Sequence, residues 1–246
     1  MGIRRIDSLV RGSPFIFAGT VERTAAATFA GVPVDDATAV VRVERVFRAP
    51  EVLGDLSDRS ITVQLLQADM KEGTHAFFFA SGWLYGDSIA VTEVGRSGAT
   101  DPEELENQVE NAELRNDERE LLGRIAEASL VVVGRVGRIV PQKRRRAVES
   151  EHDPKWFVAN LEIESVEKGR HAKTTPAPLA FPTSDDIQWY WRPRPQPGQE
   201  GIWILHREPV PGLPPGAFTA LDPRDFQPLG QLEHVRRLIA RAGSPS

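Results

Sequence analysis

Residues 15–23, FIFAGTVER, and residues 130–138, LVVVGRVGR, decide the fold of this chain because they are two versions of one strand. Each begins with apolar residues on both faces and then alternates apolar and polar positions, which is typical of a strand emerging from a buried sheet. Gly19 and Gly134 hold the same place in the two stretches. A glycine inside such a strand indicates a sharp bend or a bulge, as the corners of small β-barrels need.

Further stretches return in the same order after each of these strands, which indicates an internal repeat. The matching pairs are VRVERV (41–46) with LEIESV (161–166), ITVQL (61–65) with APLAF (177–181), and GTHAFFF (73–79) with GQEGIWI (198–204). A fifth strand is expected at 88–94 and again at 217–221. The chain is therefore expected to encode one five-stranded unit twice.

Helical patterns flank the two units. Asp101 and Pro102 form a helix start, and apolar residues follow at helical spacing through Ala112. Asn116 and Asp117 predict that a second helix begins there and enters the second unit. Short helices are also expected at 3–10 and 231–240.

The predicted fold class is mostly β with flanking helices, built as two tandem five-stranded OB-like Greek-key barrels joined by a helical segment. The predicted domains are a first OB-like barrel at 1–98, a helical connector at 99–128, and a second OB-like barrel with a C-terminal helix at 129–246.

The order of these motifs resembles the netrin-like, tissue-inhibitor-of-metalloproteinase-like (TIMP-like) subgroup of the OB fold. The resemblance rests on FAGTV and VVGRV for the first strand, VRVERVFRA and LEIESVEKG for the second, and KEGTHAFFF and PGQEGIWIL for the fourth. The family's inhibitory chemistry uses an N-terminal Cys to chelate a catalytic zinc, with disulfides as a brace. This chain has no Cys, so the resemblance implies the fold alone and transfers no functional residue.

The loop before the fourth strand of the second unit has the most unusual local composition. It contains the candidate binding residues Trp189, Tyr190, Trp191, Arg192 and Arg194, interspersed with prolines. Rigid aromatic rings beside arginines in a proline-stiffened loop favour a contact surface for protein or for bases. The alternative is that Trp189 and Trp191 fold back over the barrel end as a local cover, with the arginines in solvent.

A second candidate surface lies in the long first loop of the second unit. Arg144 and Arg145 belong to a basic run, and Trp156 follows it. Basic side chains contact phosphates and a tryptophan stacks on bases, so the loop predicts a nucleic-acid surface. Acidic residues within 149–153 would oppose a polyanion, and they favour the alternative of a simple exposed, charged loop.

No catalytic, cofactor or metal signature is recognised in the sequence. It contains no Gly-x-Ser-x-Gly elbow, no phosphate-binding loop and no dinucleotide fingerprint. The 5 histidines are scattered, without the spacing of a helical metal motif. The sequence therefore predicts a chain without catalytic residues, cofactor or metal ion.

The amino-acid composition limits the compartment in which the chain is expected and the kinds of partner it is expected to bind. The absence of Cys fits a reducing compartment, and no apolar window reaches the roughly 20 residues of a membrane span. The N-terminus lacks the apolar core of a signal peptide, so a cytoplasmic protein without membrane contact is expected. The net charge of −5 provides no general attraction to nucleic acid.

These features favour a non-enzymatic protein-interaction or scaffold protein, with an unknown protein as its partner. Duplication would give two similar surfaces at a set spacing, which suits bivalent binding. The first alternative is single-stranded nucleic-acid binding through the second barrel, which the net charge disfavours. The second alternative is an enzyme of unrecognised type.

Overall fold

The computed structural model describes residues 3–85, 88–97, 101–142, 154–183, 192–207, 213 and 216–243. The chain divides into two compact units, Met1–Asp117 and Glu118–Ser246. The division falls inside one long helix, which fills most of the predicted connector. The domain limits expected from the sequence stay a prediction.

The first unit contains a closed barrel of five strands. Its elements are α1 (Ile3–Gly12), β1 (Phe15–Thr24), β2 (Thr38–Arg48), a short 3-10 helix (Glu51–Leu53), β3 (Ser60–Gln64), β4 (His75–Tyr85), β5 (Ile89–Ser97) and the beginning of α2 (Pro102–Glu127). The strand order around the barrel is β1-β2-β3-β5-β4, and β4 pairs with β1 to close it. Only β3 and β5 run parallel among these pairs.

The second unit contains a curled six-stranded sheet, which we call the half-barrel. Its elements are the end of α2, β6 (Leu130–Pro141), β7 (Lys155–Lys168), β8 (Ala177–Thr183), β9 (Glu200–Leu205), β10 (Phe218–Thr219), a 3-10 helix (Pro223–Asp225), β11 (Phe226–Gln227), a 3-10 helix (Leu229–Gln231) and α3 (Leu232–Ala242). The strand order is β10-β8-β7-β6-β9-β11. The predicted mostly-β class, with a repeated barrel-type sheet, a helix between the copies and a C-terminal helix, is confirmed.

The pairing registers show that the half-barrel repeats the first barrel. The central glycines make matching pairs with the strands on either side: Gly19 with Val43 and Ala76, and Gly134 with Ile163 and Gly201. The parallel pairs match as well, since Val63 lies beside Val91 and Leu179 lies beside Phe218. Each first strand also shifts register against its second strand at equivalent positions. The repeat therefore extends to the hydrogen-bonding pattern.

Both central glycines are required by close approach of the backbone. A Cβ atom on Gly19 would lie 2.5 Å from the carbonyl oxygen of Arg42, and one on Gly134 would lie 2.5 Å from that of Glu162. Real Cβ atoms do not approach an oxygen so closely. The glycine therefore allows the first strand to bend over the second in each copy.

The first strands are apolar on both faces because both faces are covered. In the first barrel, Phe15, Phe17 and Phe78 point inward, and the rings of Phe15 and Phe17 stack with centroids 4.5 Å apart. The alternate residues Ile16 and Phe79 point outward and pack against α1 and the first half of α2. The half-barrel repeats this division, with Val131 and Ile204 packed against the second half of α2 and α3.

α2 is one continuous helix, so the predicted restart at Asn116 is wrong. Asp101 accepts a hydrogen bond from Glu103 N at 2.9 Å and caps the start of the helix, as expected. Asn116 does not cap a helix end. Its Nδ2 instead donates a tertiary hydrogen bond to the carbonyl oxygen of Asp7 at 3.0 Å. Lys168 Nζ donates to two carbonyls at the other end of α2, at 2.6 and 2.8 Å. Every helix among the described residues falls short of the length or apolar character that crossing a bilayer requires.

Candidate binding site

The structure describes three of the predicted binding residues. Trp189, Tyr190, Trp191, Arg144 and Arg145 lie outside the described residues, whereas Trp156, Arg192 and Arg194 lie within them. The binding role of this set stays a prediction. The positions of the three described residues nevertheless point to a particular part of the half-barrel.

Trp156 lies on the outer face of β7, where its side chain is 4% exposed. It packs with Val158, Ala180 and Leu221 in a small apolar cluster that Leu213 also contacts. So little exposed surface leaves scant area on which a base could stack. In this structure Trp156 therefore contributes to packing.

Arg192 and Trp156 meet at Leu221. Arg192 Nη1 donates to the carbonyl oxygen of Leu221 at 2.9 Å, and the side chain of Leu221 packs on Trp156. This contact attaches the end of the proline-rich loop to the segment that follows β10. Arg192 therefore lies close to the start of the 3-10 helix Pro223–Asp225.

A groove forms where these two segments face each other, and we call it the proline groove. Its volume is about 230 Å³, and its walls are Pro193, Arg194, Pro195, Gln199, Trp203, Pro223 and Phe226. Most of these side chains are apolar, and Arg194 is the cation among them. The predicted loop therefore supplies Arg194 to a concave surface, together with two of its prolines.

Two aromatic side chains fix the floor of the proline groove. Trp203 on β9 is fully buried, and its Nε1 donates to the carbonyl oxygen of Gly134 at 3.2 Å. The ring of Phe226 on β11 lies against it, with centroids 4.8 Å apart. The bend at Gly134 thus positions Trp203, and Trp203 positions Phe226. A rigid floor of this kind lowers the entropy cost of binding.

The first barrel has an ion pair at the place that corresponds to the proline groove of the half-barrel. Arg96 Nη2 lies 2.7 Å from Asp69 Oδ1, and Arg96 Nε lies 2.6 Å from the buried carboxylate of Glu93. Glu93 also accepts a hydrogen bond from Leu66 N at 3.0 Å. These contacts tie the loop before β4 to β5, so that charged groups close this end of the first barrel.

The half-barrel cannot make this ion pair. The turns before β4 and β9 have the same hydrogen bonds, from Gly73 N to Val21 O and from Gly198 N to Val136 O, which places Arg194 at the position of Asp69. β11 pairs with Trp203 as β5 pairs with Phe78, and this places Phe226 at the position of Arg96. The acidic Asp69 of the first barrel thus corresponds to the basic Arg194, and the basic Arg96 corresponds to the aromatic Phe226. Arg194 and Phe226 both form walls of the proline groove.

The fifth strand is also interrupted in the half-barrel. β10 and β11 take the two parts of the position that β5 holds alone, and the 3-10 helix Pro223–Asp225 lies between them. A capping box starts this helix, with Asp222 Oδ1 accepting from Arg224 N at 2.9 Å. Pro223 follows the cap and forms one wall of the groove. The interruption therefore adds a wall that the continuous strand β5 does not provide.

A buried ionic cluster holds this interruption in place. Asp225 is fully buried and receives two hydrogen bonds from Arg124 of α2, at 2.8 and 2.7 Å. His206 Nε2 lies 3.3 Å from Asp225 Oδ1, and Asp222 N donates to Asp225 Oδ2 at 3.0 Å. His206 also forms the backbone bridge to Thr219, with two hydrogen bonds of 2.9 Å. The cluster links α2, β9 and β10 to the wall of the groove.

Asp225 should make the half-barrel sensitive to acid. Burial by itself raises the pKa of this carboxyl, but hydrogen bonds from His206 and Arg124 outweigh it and hold the pKa below the usual 3.8. A lowered folded-state pKa adds stability above the unfolded pKa, and this stability is lost as the pH falls through the folded value. The loss in unfolding free energy caused by Asp225→Asn should therefore be largest above about pH 5 and shrink below about pH 4. Urea titrations of both proteins across this range measure it, and a pH-independent difference would contradict the assignment.

A second concavity lies on the outer face of β6, β7 and β9. Its volume is about 320 Å³, and its charged walls are Arg135, Glu162, Glu164 and Glu200. Arg135 forms an ion pair with Glu200, and both side chains are about half exposed. Exposed ion pairs of this kind contribute little binding or stability energy. The apolar, rigid proline groove is the better candidate site.

Metal-binding geometry is absent from the part of the chain that the structure describes, since no three His, Cys, Asp or Glu residues come together there. The His206–Asp225 pair has the chemistry of an acid–base pair, but Arg124 and the backbone of Asp222 already bond to its carboxylate. Its arrangement serves to anchor the 3-10 helix.

No protein-family model matches this sequence, and no curated protein matches it. The function of the proline groove is therefore inferred from its own geometry.

Sequence reasoning missed four wall residues of the groove: Gln199, Trp203, Pro223 and Phe226. Gln199 and Trp203 lie in the stretch predicted as the fourth strand, and Pro223 and Phe226 follow the predicted fifth strand. The signal that would have found them is the charge reversal between Asp69 and Arg194. It becomes visible only when the two turns are aligned residue by residue.

Proposed function

We propose that this chain is a non-enzymatic protein-interaction module that binds a partner protein through the proline groove of its half-barrel. The observation that carries the proposal is the replacement of the Asp69–Arg96 ion pair by Arg194 and Phe226. The first barrel uses this place to tie its own loop. The half-barrel has a concave apolar surface there.

The size of the groove supports a protein partner. Sites for small molecules and cofactors usually enclose about 300–1,000 Å³, and they bury most of their ligand. At about 230 Å³ the proline groove is smaller. Pockets of this size suit single anchor side chains, which carry much of the energy of protein interfaces.

The architecture fits an interaction role. We propose that both copies belong to the netrin-like, TIMP-like type of OB barrel, which the strand order and the repeated registers support. A rigid sheet that presents variable loops suits binding functions. The cytoplasmic location stays a prediction from the sequence.

Selection from a random peptide library on the immobilised full chain tests this proposal. Peptides enriched on the wild-type chain should bind the double variant Arg194→Asp/Phe226→Arg at least about tenfold more weakly. This variant gives the half-barrel the acidic and basic residues that the first barrel has at the corresponding positions, Asp69 and Arg96. Arg194→Asp alone provides a milder variant, because Phe226 also packs against the core.

Arg237→Asp is the matched control, since it reverses one exposed charge on α3 outside the groove. It should leave peptide binding unchanged. An empty selection would contradict the proposal, as would enriched peptides that bind the double variant as well as the wild type. Circular dichroism confirms that each variant is folded.

A further inference from the structure

We infer that Arg192 is a positioning residue, which sets the width of the proline groove and thereby selects the size of the partner side chain that fits there. This inference rests on the proposed function and concerns the specificity of the same site. It follows from a hydrogen bond that joins the two walls, from the stiffness of one wall, and from the place of the corresponding tie in the first barrel.

A hydrogen bond of Arg192 joins the two segments that form the walls of the groove. Arg192 directly precedes the wall residues 193–195. On the facing side, Leu221 lies two residues before the wall residue Pro223. Arg192 Nη1 donates to the carbonyl oxygen of Leu221 at 2.9 Å. This bond therefore fixes the separation of the two segments beside the groove.

The acceptor of this bond is held firmly. The side chain of Leu221 is buried and packs in the apolar cluster around Trp156. The next residue, Asp222, forms the capping box of the 3-10 helix together with Asp225. The carbonyl oxygen of Leu221 is thus a fixed point to which Arg192 attaches the proline-rich segment.

The segment that Arg192 attaches is stiff. A proline locks its own φ angle at about −65° and restricts the residue before it to extended conformations. Pro193 and Pro195 therefore constrain Arg192 and Arg194 as well, so that residues 192–195 have little backbone freedom. A stiff segment moves as one piece. A hydrogen bond at its first residue consequently controls the position of the whole wall.

The corresponding tie of the first barrel lies at a different residue. There Asp69 ties the loop to β5, and its position corresponds to that of Arg194. Arg192 lies two residues earlier, where the first barrel has Gln67. In the half-barrel this tie is made by the residue before the wall, and the wall itself lines the groove.

A fixed width favours side chains of one size. In a hydrophobic pocket, one methylene group more or less changes the discrimination between two ligands by roughly 10- to 200-fold. Such discrimination requires walls that resist displacement, because flexible surfaces repack around several partners. Without the bond from Arg192, residues 193–195 can move relative to the 3-10 helix. The groove should then adapt to side chains of several sizes.

A series of peptides that differ only in the size of one side chain tests the inference on the full chain. A groove-dependent peptide from the library is first scanned with alanine to find its anchor, the residue whose loss weakens binding most. Five versions then carry Ala, Val, Leu, Phe or Trp at the anchor, and fluorescence polarisation measures their affinities. On the wild type, the tightest and the weakest version should differ by at least about 100-fold.

Arg192→Ala should reduce this spread of affinities to less than about tenfold. Arg192→Lys keeps a donor but loses the planar, forked geometry of arginine, so its spread should lie between those of the wild type and Arg192→Ala. Arg237→Ala is the matched control, because it removes an exposed arginine from α3 outside the groove. It should keep the spread of the wild type.

A spread that Arg192→Ala leaves at the wild-type value would overturn the inference. An equal loss of affinity for all five versions would indicate direct contact between Arg192 and the ligand. A smaller binding-competent fraction with an unchanged spread would indicate a role in folding alone. Either result would leave the proposed function standing and remove this inference, whereas a library without groove-dependent peptides would remove both.

Discussion

Replacing Gly134 by alanine should destabilise the half-barrel by about 2 kcal/mol, and Gly19→Ala should cost the first barrel about the same. The new Cβ atom at either position would lie 2.5 Å from a carbonyl oxygen of the neighbouring strand. Because this oxygen belongs to a paired backbone, the strands must separate to make room. Urea unfolding measures the loss in unfolding free energy, and hydrogen exchange of the β1 and β6 amides assigns this loss to one copy or the other.

Gly123→Ala is the matched control. Gly123 lies inside α2, and apart from its chain neighbours and the adjacent helix backbone no described atom would come within 4 Å of its added Cβ. Alanine there should stabilise the helix by about 1 kcal/mol, because it restricts the unfolded chain and favours the helix. If Gly134→Ala and Gly123→Ala had the same effect, the close approach of β6 and β7 would be refuted. A large loss at Gly134 with none at Gly19 would contradict the equivalence of the two copies.

Asp225→Asn should destabilise the half-barrel by about 3 kcal/mol at neutral pH. The asparagine keeps the shape of the side chain but loses the charge that compensates Arg124, whose two hydrogen bonds end on Asp225. Removing the charge of the buried member of such a pair weakens its charge-assisted hydrogen bonds, which is strongly destabilising. His206 and the 3-10 helix before β11 lose their anchor at the same time.

Glu233→Gln gives the matched comparison, because it removes one carboxylate charge from an exposed ion pair. Glu233 lies 2.7 Å from Arg236 Nη1, and its side chain is 74% exposed. Solvent screens this pair, so the loss should stay below about 1 kcal/mol. Hydrogen exchange of β9 and β11 reports the local stability of the half-barrel in both variants. Equal losses would indicate that burial of Asp225 contributes nothing.

The repeat was predictable because its signals are local. The stretches around Gly19 and Gly134 alternate in the same way, and in each the backbone demands a residue without a side chain. A bent strand that is buried on both faces leaves this pattern in any sequence. The expected match of ITVQL with APLAF agrees with the parallel pairs Val63–Val91 and Leu179–Phe218.

The helix prediction failed at Asn116 for a physical reason. Asparagine is a frequent helix cap because its side chain binds free backbone groups. In α2 the side chain of Asn116 binds the carbonyl oxygen of Asp7, which is distant in sequence. No local pattern distinguishes these two uses of the same polar group.

The proline groove was only partly predictable. The composition of the loop pointed to Arg194, but the facing wall comes from Pro223 and Phe226, about 30 residues later in the chain. Their proximity depends on the interruption between β10 and β11, which the buried Arg124–Asp225 pair maintains. Contacts of this kind between distant residues leave no periodic pattern in a sequence.

The two copies hold the same end of the sheet in different ways. The first barrel ties its loop with Arg96, Asp69 and Glu93, and thereby closes the end of the sheet. In the half-barrel, the segment before β11 is held instead by Asp225, which is fully buried and forms an ion pair with Arg124 of α2. As a result, Arg194 and Phe226 line the proline groove, where the first barrel has the Asp69–Arg96 ion pair.

Hydrogen exchange of the full chain, with and without a library-selected peptide, shows directly whether the peptide binds in the proline groove. We predict slower exchange in the peptide complex for the amides of 194–199 and 224–227, which border the proline groove, and no change at 69–74 or 93–97 of the first barrel. Protection in the first barrel, or on the outer face around Glu162 and Glu164, would place the binding surface elsewhere and contradict the account.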